Sequence, residues 1–461
     1  MAGTSGEKTM NVRVTIACML AISFAFARGD SSLVRFANGD LLPGTPAGLE
    51  PGSLIWSSAL LEHDARFDSA QVLDVLLPVV FPASEDDHIA TVVLKNGDAV
   101  SGRLAGADDS GVELATDFAG TMKFRRSMIR GVSIEDNSNV IYRGPVDLAE
   151  WHEAESGKAW KHHRGALVSH DRGVIARDDL LPARCSVAFT LAWKEPLHIS
   201  VIVQSKDPEP AEPRSGYNVV FSRVGIYLIN GKTNQHLSGN AAPPALRDEE
   251  SARLEIRSDS ATGHVSVRIN DEVVEAWTDP QHAAGEFGKV LHFSSKQSSG
   301  ALRVSDIVVK RWDGAPDVLP RERLGRLHRG RDEAQAEEKN EDNGRIQLAN
   351  GDSLTGDLRS VTAAGVRIET GFGEILLPPS RLRQLGLKPA ADDMPIRRAG
   401  DVRAWFANGG SLVFRLDSWR DGEITGSSQT FGTTTFRESA FRRIEFNLYN
   451  NAFQGLRSKE P

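Results

Sequence analysis

The sequence predicts an all-β chain, a central jelly-roll sandwich flanked on each side by a pair of small β-barrel repeats. Three observations predict it. A turn phrase built on Asn-Gly recurs four times, and 58 residues separate Asn38 from Asn96 just as 58 separate Asn350 from Asn408. Apolar residues alternate with period two along most of the chain, and no long segment keeps a helical period. The chain also holds 42 Gly and 21 Pro, which suits many turns between short strands.

Phe36-Ala37-Asn38-Gly39-Asp40, Leu94-Lys95-Asn96-Gly97-Asp98, Leu348-Ala349-Asn350-Gly351-Asp352 and Phe406-Ala407-Asn408-Gly409-Gly410 are versions of one phrase. Asn-Gly between alternating apolar residues is a strong hairpin signal, because both residues tolerate positive φ in a two-residue turn. Val34 and Phe36, Val92 and Leu94, Ile346 and Leu348, and Ala404 and Phe406 precede the turns, and Leu42, Val100, Leu354 and Leu412 follow them. Gly44, Gly102 and Gly356 stand six residues after the turn Asn, where a strand of a small barrel must bend. Phe414 replaces that Gly in the fourth copy. Each copy then reaches a Ser (Ser69, Ser127, Ser380 or Ser439) that starts a short helical turn before a closing apolar strand. Turn, Gly, Ser and equal spacing together indicate that a two-repeat unit was duplicated.

A unit of strand, Asn-Gly-Asp, Gly-bearing strand, Ser-marked turn and closing strand resembles an Sm-like small β-barrel. The stretches 91–104 and 347–358 carry the resemblance best, and it covers 34–77, 90–135, 345–388 and 402–447. The four repeats are placed at 30–80, 88–136, 344–388 and 400–448. A fold resemblance of this kind implies no function.

Residues 140–314 read as a separate sandwich. Leu254 and Ile256 alternate with Arg253, Glu255 and Arg257. Val265, Val267 and Ile269 lead to a turn at Asn270-Asp271, and Leu302, Val304, Ile307 and Val309 close the unit. The order of Trp151, Trp160 and Gly165-Ala166-Leu167, then 263–270, then Arg303-Val304-Ser305-Asp306-Ile307, is similar to the concanavalin A-like or laminin-G-like jelly roll. The residues 315–343 are a charged linker almost free of apolar side chains after Leu327.

The first 27 residues read as a signal peptide. Lys8 and Arg13 precede an apolar run at 14–26, too short to span a bilayer, and Ala25-Phe26-Ala27 offers cleavage after Ala27. Export, periplasmic or secreted, is the expectation, with no membrane span in the mature chain. Cys18 leaves with the leader, so Cys185 has no intrachain partner and is expected to be a buried, inert thiol.

Little in the sequence points to catalysis, and no catalytic residue is assigned. Glu255, Arg257 and Asp259 alternate on one strand face as glycosidase acids can, but Arg257 would neutralise its neighbours, so an ion-paired surface is expected there. His152, His162, His163, His170 and His198 gather near Glu153 and Glu155 without the spacing of a zinc site. No metal ligand is assigned. The laminin-G-like resemblance leaves calcium open through Asp271 or Asp306. Trp151, Trp160, Trp193 and Trp277 are the candidate ligand-binding residues, as rings that stack on sugars, with core packing as the competing reading. The net charge of −8 disfavours nucleic acid, although Arg125-Arg126 and Arg442-Arg443 are local basic spots.

Three function classes follow. The first is an exported non-catalytic binding protein, with a glycan or protein ligand on the sandwich and the repeats as docking modules. The second is a sugar-active hydrolase using the sandwich cleft. The third is an assembly protein working through barrel edges.

Overall fold

The computed structural model describes residues 31–457, apart from 81–87, 109, 154–158, 195–196, 210–213, 238, 240, 284, 298–300, 316, 318–344, 350–351, 363–364 and 388–392. The leader at 1–27, Glu155, most of the charged linker and the third-copy Asn350-Gly351 lie outside the described residues. The chain is all-β, with a central two-sheet sandwich and two repeats before and after it in sequence.

Each repeat has five antiparallel strands in the order fifth, first, second, third, fourth. Repeat 2 shows the plan: His88–Leu94 pairs with Ala99–Asp108 and with the closing strand Ile129–Asp136, while Ala99–Asp108 continues onto Gly111–Thr116 and then Gly120–Arg125. The ten-residue second strand serves both halves because it bends at Gly102, where a Cβ would lie 2.7 Å from the Ala115 carbonyl oxygen. In repeat 4 the glycine has changed sides. Phe414 stands where Gly102 does, and a Cβ at Gly426 on the facing strand would lie 2.1 Å from its ring. Leu114 occupies the Gly426 position in repeat 2, so the two repeats fill one volume from opposite strands.

The Asn-Gly turns differ from the two-residue hairpin expected. Gly39, Gly97 and Gly409 have φ of 91°, 88° and 96°, but Asn38, Asn96 and Asn408 are not in the left-handed region. The turn is a three-residue loop: Gly97 N–H donates to the Leu94 carbonyl at 3.0 Å, and Leu94 N–H donates to the Asp98 carbonyl at 2.8 Å. The Asn contributes through its side chain, whose Oδ1 accepts from Asp98 N–H at 3.1 Å in repeat 2 and from Asp40 N–H at 3.0 Å in repeat 1. The two-residue form with both φ positive occurs instead at Asn270 (49°) and Asp271 (68°). Short 3₁₀ turns do precede the closing strands, at Ser69–Gln71, Arg126–Met128, Pro379–Arg381 and Glu438–Ala440. Serine does not cap them. In repeat 1 the capping side chain is Asp68, which accepts from Ala70 N–H, and the later serines lie inside the turn.

In the chain the repeats sit apart; in space they form one body with one hydrophobic cluster drawn from all four. The closing strands pair across the sandwich insertion: Val75 faces Ile444 between repeats 1 and 4, and Val132 faces Leu385 between repeats 2 and 3. All four residues oppose the equivalent first-strand position of their own repeat, namely Val34, Ala404, Val92 and Ile346. Each strand edge therefore meets its own counterpart, the self-complementary arrangement of a two-fold contact.

Repeats 2 and 4 meet through the hairpins between their third and fourth strands, again reciprocally. Arg437 N–H donates to the Phe118 carbonyl (2.8 Å) and Arg125 N–H to the Thr430 carbonyl (3.0 Å). Phe118 packs 4.9 Å from the Phe406 ring, and Phe431 packs 6.4 Å from Phe124. Asp98 adds a buried acceptor, taking Val413 N–H at 2.7 Å and the Ser411 hydroxyl at 3.2 Å. Gly410, which replaces the turn Asp in repeat 4, is needed here: its φ is 81°, and a Cβ would lie 2.4 Å from the Ala99 carbonyl oxygen. The repeats thus run 1–4–2–3, with strand, hairpin and strand contacts in turn.

The sandwich has an eight-stranded sheet, from Trp160–His162 to Glu272–Thr278, and a seven-stranded one, from His152–Glu153 to His236–Leu237. They enclose their own core. A bulge at Asp306, with φ of 52°, turns its carboxylate onto repeat 4, where Arg442 Nη1 donates to both oxygens at 2.8 and 3.0 Å. Lys310 Nζ bonds Glu135 of repeat 2 at 2.6 Å, and Arg164 Nη1 bonds the Leu76 carbonyl of repeat 1 at 3.2 Å.

Candidate functional site

The sandwich does not present the four tryptophans chosen from the sequence. Trp151, Trp160, Trp193 and Trp277 are 5, 1, 4 and 8% exposed and belong to the sandwich core. A ring that stacks on a ligand needs a free face, and these faces are spent on neighbours such as Phe293, 5.7 Å from Trp151. Trp160 also uses its Nε1–H internally, on the Gly173 carbonyl at 3.1 Å.

The acid row on Ser251–Asp259 is an ion-paired face. Glu255 accepts from Ser186 Oγ (2.7 Å) and Arg257 Nε (2.8 Å). Burial alone would raise its carboxyl, but Arg257, Ser186 and Arg268 hold it below the usual range, the wrong direction for a general acid. Asp259 is bonded to Arg184 at 3.1 Å. Asp317, the first acid of the linker, takes Arg257, Arg268 and Ser266 on the same face. The histidines do not converge: His162 Nε2 lies 3.3 Å from the Pro145 carbonyl, and His152 is a surface neighbour of Asp178 at 3.8 Å. Among the described residues no group of three or more His, Cys, Asp or Glu is assembled for a metal. Of the two aspartates left open for calcium, Asp306 is taken by Arg442.

A different site emerges in repeat 4. A cavity of about 960 Å³ opens on the outer side of its sheet, within the size range of ligand sites. Alternation makes the floor: Val402, Ala404 and Phe406 turn into the core, so Asp401, Arg403 and Trp405 turn outward beside Arg415 and Arg443. The walls come from Arg397 and Arg398, the Lys95-Asn96 turn of repeat 2, and the C-terminal helix Asn451–Arg457. Seven cations (Lys95, Arg397, Arg398, Arg403, Arg415, Arg443 and Arg457) stand against two carboxylates, Asp401 and Glu445. That is a concentrated positive field on a chain of net charge −8.

Four lining residues keep a buried N–H with no protein acceptor: Arg403 Nε, Trp405 Nε1, Arg443 Nε and Arg457 Nε. All are donors, and a buried donor without an acceptor costs about 1–3 kcal/mol. The site is also held in place from outside. Arg403, Glu445, Asp74 and Arg35 lie in register across the seam between repeats 4 and 1. Fully buried Asp74 accepts from Arg35 Nε at 2.6 Å and lies 2.7 Å from Arg443 Nη2. Burial pulls the Arg457 guanidinium below its usual range, Glu445 opposes this and Arg443 adds to it. Tyr449 donates to Asp401 Oδ2 at 3.3 Å, and burial together with Asp401 pushes its phenol up. Of these residues, Arg443 was visible in sequence through the Arg442-Arg443 pair. The two separate in space: Arg442 reaches the sandwich, and Arg443 faces the cavity.

No family model matches the chain, and no curated protein matches it. Solved structures similar to part of it include a Bacillus subtilis protein of unknown function with a galectin-like fold, 14% identical over 38% of this chain and 96% of that one, with a TM-score of 0.30. A carbohydrate-binding module from Bacillus subtilis is 9% identical over 35% of this chain and 95% of its own, with a TM-score of 0.26. The carbohydrate recognition domain of Emp46p is 7% identical over 38% and 97%, with a TM-score of 0.29. Scores this low do not bear on function.

Proposed function

We propose that this chain is an exported, non-catalytic binding protein that holds an acidic glycan in the cavity of repeat 4. One observation carries the proposal: four buried donors without protein acceptors line a cavity in which seven cations face two carboxylates. Such a set suits a ligand rich in acceptors and negative charge. Asp401 and Glu445 favour a ligand that also bears hydroxyls, because a bare polyphosphate offers them only repulsion. Trp405 and Tyr449 supply flat apolar area for sugar rings, each with an arginine about 5.8 Å from its centroid (Arg403 and Arg397). The sandwich then serves as a body joined to the repeats rather than as the ligand surface. Calorimetric titration with a uronic-acid oligosaccharide, a neutral oligosaccharide of equal length and inorganic phosphate tests this. The acidic sugar should bind, weaken with added salt, and lose about 10-fold or more in affinity in Arg403→Ala and in Arg415→Ala, since one charge-assisted hydrogen bond is worth that much. No binding of the acidic sugar, or equal binding by both variants, overturns the reading.

A further inference from the structure

Among the described residues, the array 1–4–2–3 ends with two hairpin faces that have no counterpart. In its middle, repeats 4 and 2 bury their hairpin tips reciprocally, through Phe118 and Phe431 and through the paired N–H···O bonds of Arg125 and Arg437. Repeats 1 and 3 own the same element. In repeat 3 the residue before the turn glycine, matching Phe431, is Phe372, and it is fully exposed. In repeat 1 the corresponding connection carries Leu60 and Leu61, 63 and 38% exposed. A fully exposed Phe where repeat 4 buries Phe431, and exposed Leu residues on the matching connection of repeat 1, read as an unfilled contact.

We propose that the chain associates with copies of itself head to tail, the hairpin of repeat 3 in one copy docking on repeat 1 of the next. The contact continues the strand–hairpin–strand alternation already present within one chain. Backbone chemistry selects the pairing. The donor position of the hairpin contact, Arg125 and Arg437, is the residue just before the 3₁₀ turn, and its equivalents are Asp68 in repeat 1 and Pro378 in repeat 3. Pro378 has no N–H, so two copies of repeat 3 would meet with both hydrogen bonds missing. Repeat 3 against repeat 1 keeps one, from Asp68 N–H to the carbonyl at Gly371. A head-to-tail contact closes into a ring or extends as a filament according to its rotation.

Sedimentation velocity on the mature chain over a concentration series tests the proposal, using Phe372→Asp and Leu60→Asp, both at exposed positions. Near-UV circular dichroism checks that each variant keeps its buried tryptophans packed. The wild type should grow beyond a dimer with concentration. Each variant alone should be a monomer, and an equimolar mixture of the two should stop at a heterodimer, because each retains one intact face. A wild type that stays monomeric at its highest soluble concentration overturns the proposal. So does a dimer of Leu60→Asp alone, which would mean repeat 3 pairs with itself, or of Phe372→Asp alone, which would mean repeat 1 does.

Discussion

Exchanging the glycine and the large residue in repeat 4 should show that Phe414 and Gly426 are one packing unit. Phe414 is 2% exposed, stacks 5.3 Å from Phe436 and fills the space that a side chain at position 426 would need. Phe414→Gly alone empties that space, and removing a buried Phe costs about 3–5 kcal/mol. Gly426→Leu alone forces a side chain into a ring whose Cδ2 is 2.1 Å from the new Cβ, at least the 1–3 kcal/mol of ordinary overpacking. The double variant recreates the Gly102 and Leu114 pair of repeat 2, so the two losses should cancel in part, with a coupling of about 2 kcal/mol or more. Differential scanning calorimetry reads this directly, at about 2–4 °C per kcal/mol for a unit near this size. A double variant whose melting temperature falls by the sum of the two single losses would refute the shared-volume account.

Two further predictions concern buried groups. Burial raises the Asp98 carboxyl above its ordinary 3.8, against the opposing bonds from Val413, Asn96 and Ser411. The folded state therefore binds this proton more tightly than the unfolded one, and the stability it adds is complete below pH 3.8 and lost as pH rises through the folded value. Melting temperatures of the wild type minus those of Asp98→Asn should fall with rising pH across that window; a rise contradicts the assignment. Cys185 is fully buried, and desolvation pushes its thiol up to about 12. A thiol reagent at neutral pH should leave it unmodified in the native protein and label it fully in denaturant, and stoichiometric native labelling would show otherwise.

The strands and the repeats were legible because a period of two and a recurring turn are local signals. The chemistry of the turns was only partly so. Asn-Gly marked the hairpins, but whether the Asn takes positive φ depends on strand register, and here its side chain bonds the following Asp instead. Contacts between repeats were hidden for a different reason. One trace of them was a closing strand, Val72–Leu76, buried on both faces with Asp74 inside it. The departures of the fourth copy, Gly410 and Phe414, were plain in the sequence, yet their meaning rests on Ala99 and Gly426, residues on other strands. The cavity has no sequence signature, because its cations come from segments as distant as Lys95 and Arg457, none of them a motif. The tryptophans carry no such distinction either, because a large aromatic looks alike in sequence whether it faces solvent or core.

The interleaved order of the repeats has a consequence for synthesis. Hydrogen bonds that tie the first repeats to the last span 313 residues at Asp98–Ser411 and 384 at Leu73–Arg457. While the chain is being made, the closing strands of repeats 1 and 2 emerge long before the strands that cover them, and for that interval they carry open edges of the kind that recruit other chains. Contacts this remote in sequence slow folding. The connecting sandwich adds little to the equilibrium cost, since loop-closure entropy grows only with the logarithm of length. The burden is one of timing: the protein's N-terminal half waits, incomplete, for its C-terminus.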